Sequence, residues 1–334
     1  MMNRNATRLP FGRRHLVFAL GLAAIAAAFS PPAMAQGYPM KPIRLVVSFP
    51  PGAGPDILAR MIGNKLSDSL GQPVITENRP GAGGNIATDL VARAPADGYT
   101  LLVASNHLNI NPSLFKQLNY DPIKDFAPVT LATATPNVLV VRPSLGVKSI
   151  DELNALARAQ PGKLNFSSGG NGSVGHLAGE LYKTQAKVDV VHVPFKGPVE
   201  AITAVIAGNV DFAFLVAPAA LPQVKSGKLL GLAVTGAKRL PALAEVPTMV
   251  ESGLADYEVS AWQGILAPAG TPDQVVARLQ TEVARILRLP EISSVLNKQG
   301  LEVIANTPAE FVAYNRAELA KWARTIKEAN IRIN

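Results

Sequence analysis

Compact apolar runs along the chain alternate with stretches whose apolar residues recur every three or four positions, and Gly/Pro loops separate the two patterns. Residues 43–49 (IRLVVSF) form a β-branched run bounded by Pro on both sides, which predicts a buried strand. The stretch PPGAGP that follows must be a loop. Ile57, Leu58, Met61, Ile62, Leu66 and Leu70 then fall on one face of a helix that stops before Gly71. The unit recurs as a strand at 74–77, a loop at 78–85 (NRPGAGGN), a helix to about residue 94, and a strand at 99–105 after the Asp97-Gly98 turn. Such alternation predicts an α/β fold with mostly parallel sheets flanked by helices.

Residues 128–142 (PVTLATATPNVLVVR) hold two β-rich runs split by Thr135-Pro136-Asn137, too long together for one ordinary strand. The segment reads as a crossover into a second domain. A second alternating series follows, with helices expected at 150–160, 173–185 and 198–207 and strands at 164–167, 188–193 and 210–216. The chain returns near Trp262 through a run at 264–267 and the turn PAGTP, and three helical stretches finish it. A tail without strands would pack back on the first sheet. The expected division is a leader at 1–35, one lobe from 36–137 plus 258–334, and a second lobe at 138–257, with hinges near 135–138 and 257–262.

Composition narrows the chemistry. With 334 residues, 48% hydrophobic and 17% charged, the chain is globular and large enough for two domains. It has no Cys, which excludes disulfides, thiolate nucleophiles and Cys-ligated zinc. The formal charge of +8 resembles a nucleic-acid signature until its location is considered. Arg4, Arg8, Arg13 and Arg14 lie in a leader without acids, followed by an apolar run at 16–29 and by Ala33-Met34-Ala35. That is the pattern of a secretory signal peptide cleaved before Gln36, and its removal halves the net charge. The apolar run is too short for a membrane span. Arg13-Arg14 makes a twin-arginine route the alternative to ordinary secretion. The remaining Lys and Arg are dispersed and few aromatics accompany them, so no nucleic-acid partner is expected.

Residues 170–175 (GNGSVG) satisfy G-x-G-x-x-G between a predicted strand and a predicted helix. Asp189 stands at the beginning of the next strand, not at its end, and the leader points away from the cytoplasm, so a nicotinamide site is disfavoured. Exposed amides at a helix N-terminus suit any small anion, while the plainest reading is a turn with Ser173 as N-cap. Asn171 replaces the first Gly of G-x-S-x-G, so Ser173 and His176 make a poor nucleophile and base. His107, His176 and His192 show no metal-ligand spacing, and neither a metal nor a cofactor is expected. What remains is four loops at strand-to-helix junctions, 49–56, 78–85, 104–112 and 167–176, which an open parallel sheet gathers at its ligand-binding edge.

In order along the chain, FPPGAGPDILAR, ENRPGAGGNIA, PADGYTLL, INPSLF, GGNGSVGHLAGEL, VPFKGPVEA and LAPAGTP resemble the extracytoplasmic solute receptors of tripartite tricarboxylate transporters, the Bug family. The resemblance runs from about Tyr38 to the C-terminus. It implies a two-lobed periplasmic binding-protein fold, type II-like, that closes as a monomer on a small carboxylate and delivers it to membrane permease subunits without catalysis. The ligand would be a di- or tricarboxylate, an aromatic acid or an acidic amino acid. Carried onto this chain, the gripping loops supply Phe49, Pro50, Gly52, Ala53, Gly54 and Asp56 from one lobe. The other lobe supplies Ser168, Gly170, Gly172, Ser173 and His176, with Phe195, Lys196 and Gly197 beside them and a loop bearing His107 and Asn111 adjoining the cleft. Two departures stand out: Pro55 precedes Asp56 where the family commonly has Thr, and Phe195 replaces a common Tyr, which implies a more apolar pocket. A secreted serine-type hydrolase and the sensing subunit of a signalling system are the alternatives.

Overall fold

The computed structural model describes residues 37–331; the predicted leader lies outside the described residues. From Lys41 the chain begins with β1 (Ile43–Val47), an almost wholly buried strand. It leads through a Gly/Pro loop into α1 (Gly54–Leu70), which has Pro near its start, Leu58, Ile62 and Leu66 on its buried face, and Gly71 as a left-handed C-cap. Next come β2 (Val74–Asn78), α2 (Asn85–Ala92), β3 (Thr100–Ser105), α3 (His107–Leu114) and β4 (Phe126–Val141). The second series is α4 (Ile150–Ala159), β5 (Asn165–Ser168), α5 (Val174–Ala186), β6 (Val191–Pro194), α6 (Pro198–Ile206), β7 (Phe212–Val216), α7 (Ala217–Lys225) and β8 (Leu230–Val234). The chain closes with β9 (Ser260–Pro268), α8 (Asp273–Leu287), α9 (Pro290–Lys298), β10 (Glu302–Val303) and α10 (Pro308–Glu328).

Two sheets share β4. The first has the order β2-β1-β3-β9-β4-β10 and the second β8-β4-β7-β5-β6. β4 pairs with β9 from Phe126 through Pro136 and with β7 from Asn137 onward. The expected break at Thr135-Pro136-Asn137 is therefore no break in the strand. One strand of 16 residues runs through it and changes partners there. Each sheet is also more mixed than expected. β1 with β2 and β3, and β5 with β6 and β7, are parallel, but every pairing made by β4 or β9 is antiparallel.

Two further expectations fail. The C-terminal tail contains a strand, the two-residue β10 on β4, too short to leave an alternating pattern. Residues 107–111 are the first turns of α3 and not a loop. The core lies on the sheet faces. Val46, Leu102, Ala104 and Leu266 pack with Trp262 and Phe311 on the first sheet, while Phe166, Phe212, Phe214 and Leu139 pack under α5 on the second. α10 starts with a complete capping box, Thr307 with Glu310. It contributes Phe311 to the first of these cores and Trp322 to the other, so one helix serves both sheets.

Candidate functional site

The loop between β1 and α1 is organised by Asp56, which is 2% exposed. Its carboxylate accepts the Gly52 N–H at 2.8 Å, Asn78 Nδ2 at 2.8 Å and Arg60 Nε at 3.0 Å. Burial alone would raise the pKa of Asp56. The donors Arg60, Gly52 and Asn78 outweigh it and hold the group below its ordinary value. The side chain expected to face a ligand thus faces its own loop. Pro50 O accepts Ala53 N–H and Ala53 O accepts Ile57 N–H, which leaves the N–H groups of Gly54 and Asp56 in the first turn of α1 without a partner among the described residues. Beside this turn stands Gln263 of β9, whose Nε2 is 3.4 Å from where a Cβ on Gly54 would be.

The loop between β5 and α5 spends more of its amides on itself than its glycines suggest. Gly170 N–H donates to Ser168 Oγ (3.2 Å), Gly172 N–H to His176 Nδ1 (3.1 Å) and Ser173 N–H to Gly170 O (3.2 Å). Ser173 Oγ accepts His176 N–H at 3.3 Å, the N-cap geometry. At the start of α5 the amides of Val174 and Gly175 are left without a partner among the described residues, as are those of Gly169 and Asn171 in the loop before it. Because Nδ1 of His176 already accepts the Gly172 amide, the ring is not placed as a base for Ser173. The serine hydrolase reading loses its dyad.

Behind this loop, His176 stacks on His192, with ring centroids 3.9 Å apart and planes 18° from parallel. His192 Nε2 lies 2.7 Å from Ser168 Oγ, the hydroxyl that also binds the Gly170 amide. Burial lowers the pKa of His176 to about 3, helped by His192 and Lys183, and that of His192 to about 4, helped by Lys183, so both rings are neutral near pH 7. Phe195 N–H donates to Ser168 O (3.0 Å), and a Cβ on Gly170 would lie 3.3 Å from Phe195 O, so the loop at 195–197 packs on the β5–α5 loop. Phe195 is half-buried and Lys196 exposed.

His107 and Asn111 on α3 brace the β2–α2 loop. Thr88 Oγ1 donates to Gly84 O at 2.9 Å, so His107 Nε2, 3.2 Å from that hydroxyl, carries the proton and donates to it. Nδ1 is left a buried acceptor without a partner, and burial lowers the His107 pKa to about 4. Gly84 has φ +95° and a Cβ there would lie 2.6 Å from the His107 ring, so glycine is required on both counts. Asn111 Nδ2 donates to Gly83 O and Asn85 Oδ1. The His107 ring also meets Phe49 edge to face at 6.0 Å, which joins α3 to the first loop.

The loops of the two sheets meet at α3: a Cβ on Gly172 would lie 2.7 Å from Leu114 Cδ1. Sequence reasoning missed Leu114, His192, Gln263 and two buried groups without partners, the Ser48 hydroxyl and the Asn137 side-chain amide. Only His192 left a usable trace, since it is two residues before the Pro that ends β6 and pairs with Phe166. A surface cavity of about 880 Å³ lies elsewhere, bordered by Arg239, Glu251, Tyr314 and Lys321, and holds none of the loop residues. Among the described residues, no group of three His, Asp or Glu could hold a metal and no helix is long and apolar enough to cross a membrane.

Two mixed α/β sheets that exchange strands and bring their glycine loops together define a two-lobed solute-binding protein, a receptor and not an enzyme. Residues 58–331 match the model of the tripartite tricarboxylate transporter family receptor, and the chain belongs to that family. It is 33% identical to protein BugT of Bordetella pertussis over 320 residues, 95% of this chain and 98% of the relative. A solved R. palustris protein with adipate is 36% identical, with a TM-score of 0.78 over 89% of this chain and 100% of that one. MatC from Rhodopseudomonas palustris with bound malate is 33% identical, with a TM-score of 0.74 over 86% and 100%.

Proposed function

We propose that this protein is a periplasmic receptor that captures a small carboxylate between the β1–α1 and β5–α5 loops and delivers it to the permease of a tripartite tricarboxylate transporter. The leader is removed before Gln36 after export. The observation that carries the reading is the pair of helix starts, one from each sheet, where Gly54 and Asp56 on one side and Val174 and Gly175 on the other offer unpartnered N–H groups. A hydrogen bond to a charged group contributes roughly 1.5–3 kcal/mol, and a helix N-terminus about 0.3–1 more. Three or four such contacts match the roughly 8 kcal/mol of micromolar binding after the costs of association. The family relatives solved with adipate and with malate support a carboxylate as cargo.

Closure would turn on the two strands that link the sheets, β4 where it changes partners between Pro136 and Asn137 and β9 near Ser260. The test is calorimetric titration of the purified protein with a panel of di- and tricarboxylates, aromatic acids and acidic amino acids, each beside its primary amide. Binding of an acid with loss on amidation is expected. Equal affinities for acid and amide would refute the anion site. Small-angle scattering with the bound acid should show a smaller radius of gyration, and a permease gene pair beside this one would separate transport from sensing.

A further inference from the structure

The β4 residue at the change of partners carries an inference that rests on the carboxylate reading above. The backbone of Asn137 is fully paired with Thr235, donating to its Oγ1 at 2.8 Å and accepting its N–H at 2.9 Å. Its side chain is not. Asn137 is 0% exposed, and neither Nδ2 nor Oδ1 has a hydrogen-bond partner among the described residues. Buried amides are nearly always satisfied, and an apolar residue of similar size would avoid the penalty altogether.

Register locates the amide. Val141 on β4 pairs with Phe212, which pairs with Phe166. Two residues nearer the loops, Leu139 pairs with Phe214, beside the Ser168 end of β5. Two more along, Asn137 pairs with Val216 at the edge where the β5–α5 loop begins. Leu139, Val141, Phe166, Phe212 and Phe214 all belong to the core under α5, and side chains alternate along a strand, so Asn137 presents its amide on the same face. α5 starts there, since a Cβ on Gly175 would lie 2.6 Å from the Phe214 carbonyl. By this register the buried amide stands one row beyond Leu139 and Phe214, at the same edge of the sheet where α5 begins with the free N–H groups of Val174 and Gly175.

We propose that Asn137 makes this receptor select 2-hydroxy carboxylates. The amide presents a donor and an acceptor side by side. Nδ2 donates to a carboxylate oxygen held at the start of α5, and Oδ1 accepts the proton of a hydroxyl on the adjacent carbon. A plain carboxylate would leave Oδ1 buried and unpaired, the situation in which a site built for a hydroxyl rejects the analogue without one. An ammonium in that place would need an anionic partner, and the buried carboxylates Asp56, Glu180 and Glu318 are already paired with Arg60, Lys183 and Lys321.

The test is calorimetric titration of the purified protein with matched pairs: succinate and malate, glutarate and 2-hydroxyglutarate, 3-phenylpropionate and 3-phenyllactate. Among the pairs that bind, the hydroxy member should be preferred by about tenfold or more. In Asn137→Leu the preference should shrink to within about twofold while the plain acid is still bound and the thermal midpoint does not fall. Equal binding of both members by the unaltered protein, or a preference that survives in Asn137→Leu, overturns the role of Asn137 and leaves the carboxylate reading intact. Binding of no member of any pair overturns both. The comparison on the unaltered protein needs no variant and decides by itself whether the selectivity exists.

Discussion

Gly172 is the residue at which the meeting of the two sheets' loops can be measured. Its φ of +76° is a conformation that costs an L-residue roughly 1–2 kcal/mol, and a Cβ there would stand 2.7 Å from Leu114 Cδ1. Leu114 has to rotate away, and a side chain driven off its rotamer costs on the order of 0.5–1.5 kcal/mol. Gly172→Ala should therefore lower stability by about 2–3 kcal/mol, the sum of a backbone part and a contact part. Leu114→Ala removes the second part only. The double variant should be more stable than the two single losses added together, by about 0.5–1.5 kcal/mol, the size expected for residues in contact. Urea unfolding followed by circular dichroism measures all four proteins. Losses that add to within about 0.3–0.5 kcal/mol would refute the reasoning, because independent sites behave that way. They would mean that the β5–α5 loop does not rest on α3 in solution.

Asp56→Asn keeps the shape but loses the charge that holds Gly52, Asn78 and Arg60, and should cost about 1.5–3 kcal/mol in urea unfolding at pH 7. Since the folded pKa of Asp56 is depressed, its contribution is present above the unfolded value and fades as pH falls through the folded one; an Asn variant with unchanged stability at pH 7 would contradict this. His107, His176 and His192 are held neutral, with folded values of about 4, 3 and 4 against 6.5, so stability should decline as pH falls from about 6.5 toward 4, by up to about 1.4 kcal/mol per pH unit per ring. His192→Phe preserves a ring against His176 and should flatten that decline; an unchanged slope in acid unfolding curves would count against it. Ser173→Ala removes the cap of α5 and should lower stability by about 1 kcal/mol with little change in carboxylate affinity, and a tenfold weaker affinity at unchanged stability would assign the hydroxyl to the ligand instead.

The strand, loop and helix alternation was legible because each element carries its own period and its own stop signal. α1 shows this best, with Pro near its start, apolar residues at three and four spacing and Gly71 as its cap. β4 was half legible. Its two apolar runs are visible, but a strand that continues through Pro136 needs partners on which the missing N–H is harmless, and those come from β9, over a hundred residues away. α3 was read as loop because Asn, His and Pro are poor helix formers. It is helical because Asn109, Ile110 and Asn111 are buried against other elements, with Asn109 donating to Asn315 O on α10.

For the candidate site, the sequence located the loops but not which of their groups are free. Glycines at a strand-to-helix junction announce exposed amides, yet three of those between Ser168 and Val174 are consumed by Ser168, His176 and Gly170. Residue type and spacing cannot assign these bonds, because they depend on the path of the loop and on the ring of His176 folding back onto it. The charged groups follow the same logic. Arg60, the guanidinium at the first loop, is committed to Asp56 and Asn78, so its charge holds the loop in shape. If four neutral amides at two helix starts hold the anion, each lobe supplies half of the grip and neither carries a full charge to trap the ligand once the lobes part. That division suits a protein whose task ends in release. It also explains why Asp56, the acid nearest the first helix start, can sit within reach of an anion site: its negative charge is cancelled by Arg60 before any ligand arrives.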